Sequence, residues 1–145
     1  MRKFYSILNQ LQCGDRIVVP KSAWEVIQHH AIYLGYENGN HYIIENKNGI
    51  GVRVVTSEVF FENVSDITRT EKFYPTSNYS RNDLMQYALN KRGTEYDLWN
   101  YNCEHFANDV RTGRVSSKQV NNAYAGMGLV AALLFFGFLS GGDEK

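Results

Sequence analysis

"HHAIYLGYENGNHYIIEN", His29 to Asn46, holds two runs of β-prone residues around an Asn38-Gly39 pair. Asn-Gly between such runs is a strong hairpin signal, because the turn that matches strand twist needs positive φ at both central residues. The stretch predicts two antiparallel strands joined by a turn over "YENGN". Upstream, "RIVVP" after Gly14-Asp15 reads as a short strand that Pro20 ends. Downstream, "GVRVV" follows an Asn48-Gly49 turn, and "ITRTEKF" is a further strand candidate. The first half of the chain is therefore an antiparallel meander.

The period then changes. In "SRNDLMQYALNKRG", Ser80 with Asp83 three residues on makes a capping box, Leu84, Tyr87 and Ala88 share a face, and Gly93 supplies the stop. A second helix is expected from about Cys103 to Thr112, with Phe106, Ala107 and Val110 apolar and Gly113 at its end. There is no repeat and no low-complexity tract. Strands followed by helices predict an α+β fold, an antiparallel sheet packed with helices.

The chain has 145 residues, 43% of them apolar, which suits one domain with its own core. Fifteen basic and fifteen acidic side chains cancel, so no overall field favours nucleic acid, and none is expected as a partner. There is no apolar run at the amino end of the kind a signal peptide needs, and Cys13 and Cys103 sit in unlike contexts; free thiols in an intracellular setting are the expectation. From Ala123 to Leu139 the sequence "AYAGMGLVAALLFFGFL" carries no charge. As a helix it would reach about 25 Å, close to a bilayer's hydrocarbon core, and it has no polar face to turn to water. The expected layout is a folded domain over 1–120 and a membrane-anchoring hydrophobic helix over 121–145, with the domain in the cytosol.

Cys103 opens "CEHFANDV", the start of the second helix, where unpaired backbone N–H groups and a partial positive charge stabilise a thiolate. His105 lies roughly 200° around that helix and points away from it. A base must come from elsewhere, and His29, His30 and His41 are the candidates. Strand alternation puts His29 with Ala31 and Tyr33, and His30 with Ile32 and Leu34. His41, Ile43 and Glu45 share a face of the next strand, so Glu45 or His41 is available to orient an imidazole. Parity does not say which face meets the helix. Metal binding finds no support, since no Cys or His spacing matches the usual zinc patterns, and no cofactor is expected. Cys13, before a Gly-Asp turn, reads as structural.

"HHAIYLG", then "NCEHFANDVRTGRVSSKQV", then "AGMG" leading into an apolar tail, together resemble the phospholipase A and acyltransferase family, relatives of lecithin:retinol acyltransferase. More loosely the chain resembles the NlpC-type thiol peptidases, of which that family looks like a circular permutant, papain-like with its His box ahead of its Cys box. The likeness runs from about Cys13 through the tail and is loose over 49–78. It implies that Cys103 attacks a glycerophospholipid ester and carries the acyl group as a thioester, and that His29 rather than His30 is the base. It also implies that water, phosphatidylethanolamine or a lysophospholipid accepts the acyl group, and that the apolar tail brings the domain to phospholipid membranes.

The family usually carries a second histidine at the end of the next strand, after a shorter turn. Here the strand reads "HYIIEN". Aligning strands puts Glu45 at that position, while a fixed count from His29 gives His41; Glu45 is preferred, because insertions belong in turns. Gln28 stands where several members carry a basic or aromatic residue. A non-enzymatic membrane-anchored module and a peptidase or amidase are the alternatives.

Overall fold

The computed structural model describes residues 2–21 and 27–127. Five strands form one antiparallel sheet in the order β4-β3-β2-β1-β5, with β1 Arg16–Pro20, β2 Gln28–Glu37, β3 Asn40–Lys47, β4 Gly51–Thr56 and β5 Arg69–Glu71. The meander read from sequence is the backbone of the domain, and β5, within "ITRTEKF", closes it against β1.

Asn38 (φ 50°) and Gly39 (φ 85°) occupy the two-residue turn between β2 and β3. The residues expected to lengthen the turn instead extend both strands. The ladder absorbs them with a register shift between Tyr33 and Gly35. On the amino side of that shift in β2 the pairing is Ile32↔Ile44 and Ala31↔Glu45.

Both faces of the sheet are covered. One carries Ile17, Val19, Ala31, Tyr33, Ile43 and Val55 against Phe4 and Leu8 of α1 (Arg2–Leu8) and Phe60 of α2 (Ser57–Phe60). The other carries Ile32, Ile44 and Val52 against α3 (Arg81–Asn90) and α4 (Cys103–Thr112), whose Phe106, Ala107 and Val110 are fully buried. Burying a side chain such as Phe106 contributes about 2–3 kcal/mol of apolar transfer energy. The α3 capping box is formed: the Ser80 side chain accepts from the Asp83 amide while the Asp83 carboxylate accepts from the Ser80 amide at 2.9 Å. Asp109, 3% exposed, ties the two helices together, accepting from Tyr87 (3.0 Å), Tyr101 (2.8 Å) and Lys91 (2.9 Å).

Helices α1 and α2 were not expected from the sequence. No side-chain cap hydrogen bond begins α2, and both helices are held by the apolar contacts of their core face, Phe4 stacking on Phe61 at 4.3 Å. Residues 118–127 form a further helix, α5, which runs across residue 120. The rest of the apolar run lies outside the described residues, and among the described ones no helix is long and apolar enough to cross a membrane.

Candidate active site

Helix α4 starts where the sequence puts it, and the start is built by two side chains. The Asn102 Oδ1 accepts from the Glu104 amide (2.9 Å) and the His105 amide (3.0 Å), and the His105 Nδ1 accepts from the Asn102 amide (3.2 Å). His105 is thus a cap that points away from the thiol. Cys103 follows as the first helical residue, 3% exposed.

The cysteine meets the sheet at an edge that pairing leaves open. The last β2–β3 pair is Ala31↔Glu45, so residues 28–30 overhang β3. There the Cys103 Sγ lies 3.7 Å from the Gln28 carbonyl and accepts from the His30 amide. His29 comes to it from the opposite face of the sheet, around the overhang. The face question that parity left open has this answer: His30 faces α3 and α4, His29 faces α1 and α2, and the His29–Cys103 contact is made around the strand end.

Of the three candidate bases, His29 is the one that reaches Cys103 and Glu45. Its Nε2 is 2.6 Å from Glu45 Oε2, which leaves Nδ1 as the ring nitrogen for its interaction with Cys103. Phe60 stacks on the imidazole at 5.8 Å. Burial lowers the affinity of His29 for its proton, but hydrogen bonds and charge from Cys103 and Glu45 outweigh it and raise the pKa to about 9. On Cys103, burial pushes the thiol pKa up, and His29, the His30 amide and the Lys21 charge bring it below its ordinary value. Both shifts favour the thiolate and imidazolium form of the pair. Glu45, 2% exposed, is held below the usual carboxylate range despite burial, by His29 and by Arg53, whose Nε and Nη2 reach its Oε1 at 2.9 and 2.7 Å.

His30 and His41 do other things. His30 is 1% exposed, and burial together with the Arg16 charge drives its pKa down to about 4. His41 shares a hydrogen bond of 2.8 Å with the Tyr33 hydroxyl, and its ring sits beside those of Tyr5 and Tyr36. It opposes Tyr36 at the turn end of the hairpin, and of His41 and Glu45 it is Glu45 that contacts His29. Cys13 is a free thiol near the Arg81 carbonyl, away from this group. Among the described residues no group of three or more His, Cys, Asp or Glu side chains is placed to hold a metal ion.

Two cavities flank the pair. One of about 660 Å³ has Cys103 in its wall with Ile27, Leu98, Trp99, Val120 and Ala123; a smaller one of about 300 Å³ is lined by His29, Glu45, Val59, Phe60 and Val64. Helix α5 forms one wall of the larger cavity. It is clasped by Glu104, buried at 5% exposure, which accepts from the Ser117 hydroxyl (2.6 Å) and the Gln119 amide (3.0 Å). Gln119 in turn spans the Gln28 backbone, its side chain accepting from the amide (3.3 Å) and donating to the carbonyl (3.4 Å).

Arg53, Glu104 and Gln119 were missed as site residues. For Arg53 a signal existed: counting outward from the Asn48-Gly49 turn pairs Lys47 with Gly51 and so Glu45 with Arg53. Glu104 and Gln119 lie in quoted motifs, but which surfaces they face follows only from packing.

A buried thiol at a capped helix start, paired with an oriented imidazole beside an apolar cavity, defines a site for cysteine-based acyl chemistry. The family model described as lecithin retinol acyltransferase matches residues 9–116, and the chain belongs to that family. It is accordingly of acyltransferase or phospholipase type, a cysteine-based acyltransferase or hydrolase. No individual curated protein matches it.

Proposed function

We propose that the chain removes acyl groups from glycerophospholipids and passes them on through a thioester on Cys103, as phospholipase A1/A2 and as acyltransferase. The observation that carries this reading is the Cys103–His29–Glu45 chain of contacts opening on a largely apolar cavity of about 660 Å³, a size suited to a lipid acyl portion. The order of its parts, histidine strand ahead of cysteine helix, supports a circularly permuted papain-like arrangement.

In the acylation step the Cys103 thiolate adds to the ester carbonyl carbon, forming the C–S bond. The C–O bond to glycerol then breaks as His29 gives its Nδ1 proton to the leaving oxygen, releasing a lysophospholipid. In the second step neutral His29 takes a proton from the acceptor, whose oxygen or nitrogen attacks the thioester and expels the thiolate. Water yields a free fatty acid, the amine of phosphatidylethanolamine an N-acyl lipid, and a lysophospholipid hydroxyl a rebuilt diacyl lipid. Glu45 keeps the imidazole aimed, and the α4 amino-terminal N–H groups favour negative charge beside Cys103.

A membrane is the natural partner for such a substrate. Ile27, Leu98, Trp99, Tyr124 and Met127 are 41–56% exposed around or beside the mouth of the cavity, and the uncharged run to Leu139 follows directly. Exposed apolar side chains of this kind support contact with lipid, with the domain held at an intracellular membrane by 121–145. The non-enzymatic alternative drew on the altered third position; Glu45 makes the contact that an orienting residue makes, which supports the enzymatic reading instead.

The test is release of lysophospholipid and fatty acid, and formation of N-acyl lipid, by the full chain on mixed phosphatidylcholine and phosphatidylethanolamine micelles. The parent is expected to be active and Cys103→Ser and His29→Ala inactive. A well-folded parent that forms none of these products sinks the proposal.

A further inference from the structure

β4 presents Arg53 and Val55 on the sheet face that packs α1 and α2, and Val52 and Val54 on the other. A guanidinium on a face otherwise given to Ile43, Val55 and Phe60 needs a reason, and the register supplies one: Arg53 lies directly opposite Glu45. The two carboxylate oxygens are divided between two partners. Oε2 meets His29 at 2.6 Å, and Oε1 meets Arg53 Nε at 2.9 Å and Nη2 at 2.7 Å.

We propose that Arg53 is a positioning residue for the acyl-transfer reaction, acting on His29 through Glu45. This rests on the reading of Cys103, His29 and Glu45 as the catalytic set. A single carboxylate beside an imidazole has rotational freedom about its last bond; anchoring one oxygen by a two-pronged guanidinium contact fixes where the other points. Arg53 also completes a line of alternating charge: thiolate, imidazolium, carboxylate, guanidinium. Without its last member the buried carboxylate would be offset by His29 alone and would hold the imidazolium proton more tightly, opposing the step in which that proton must leave. A histidine in the third position would need no such counter-charge, so Glu45 and Arg53 belong together as a pair.

The experiment compares the full chain with Arg53→Met, Arg53→Lys, Glu45→Gln and the Glu45→Gln/Arg53→Met double variant. It measures kcat and KM on mixed micelles and, separately, the pH profile of Cys103 alkylation by iodoacetamide, with circular dichroism to report folding. Arg53→Met is expected to lower kcat about tenfold or more with KM little changed, and to move the alkaline limb of the alkylation profile up by about half a pH unit. Arg53→Lys should return the limb to the parent position while recovering kcat only in part, since an ammonium keeps the charge and loses the fork. On the Glu45→Gln background, Arg53→Met should add no further loss in kcat.

A folded Arg53→Met protein whose alkaline limb is unchanged or lowered overturns the proposal, as does an additive loss in the double variant. If the parent alkylates readily but turns over no lipid, the functional reading fails, and the limb shift alone still decides the role of Arg53.

Discussion

His29 and Glu45 meet at 2.6 Å although they are not cross-strand partners: Glu45 pairs with Ala31, and His29 lies two residues further along the same face, where β2 overhangs β3. This diagonal puts the carboxylate behind the imidazole and leaves the overhang itself free for Cys103. Replacing Glu45 by Gln keeps the shape and removes the charge. The expected result is a fall in kcat of about 10²-fold, measured as fatty acid release from micelles, with KM little changed. The alkaline limb should move down, because the imidazolium loses its anionic partner.

The thiolate–imidazolium pair sets the pH range of Cys103 reactivity. The Cys103 pKa is below its ordinary value, so thiolate forms at lower pH than for an ordinary thiol; the imidazolium persists until His29 loses its proton at about 9. Lipid turnover, which needs His29 protonated to release the leaving group, should fall as pH rises through about 9. His29→Ala should return Cys103 alkylation to the steep alkaline rise of an ordinary thiol. A parent profile that rises only near an ordinary thiol pKa would contradict the ion pair.

Asn102 satisfies two of the amides that begin α4. Asn102→Ala is expected to cost about 1 kcal/mol in a denaturant melt and, by loosening the turn that carries Cys103, to slow its alkylation at neutral pH.

Gly51 opens β4 at φ 93°, and a Cβ built there would stand 2.4 Å from the Thr94 carbonyl oxygen. The neighbour is backbone and cannot swing aside, since the Thr94 carbonyl accepts the Val52 amide at 2.9 Å. Gly51→Ala should therefore destabilise by about 2–3 kcal/mol, with a lowered Tm in calorimetry, by combining left-handed strain with a clash.

Much of this architecture is written locally. Asn38-Gly39 sets the hairpin, Ser80 and Asp83 set the start of α3, and Gly113, at φ 68°, ends α4 one residue past Thr112. These signals act over four residues or fewer, so a sequence displays them. The alignment of "HYIIEN" as a strand pointed to Glu45 over His41 for the same reason: side-chain parity along a strand survives whatever happens in the turn.

What the sequence by itself determined is the set of parts: a meander, two helices of which the first carries a capping box, a thiol at a helix start, and histidines and a carboxylate at alternating strand positions. The tertiary structure alone decided how they meet. Parity sorts residues onto two faces but does not say that both faces are covered, or that Cys103 and His29 arrive from opposite sides and join around a strand end that β3 leaves unpaired. Likewise, Arg53 looks like one polar residue in a strand until the β3–β4 register sets it against Glu45, and Glu104 and Gln119 gain their roles only when α5 packs beside α4. Such relations depend on contacts between residues far apart in the chain, which packing selects and no local pattern encodes.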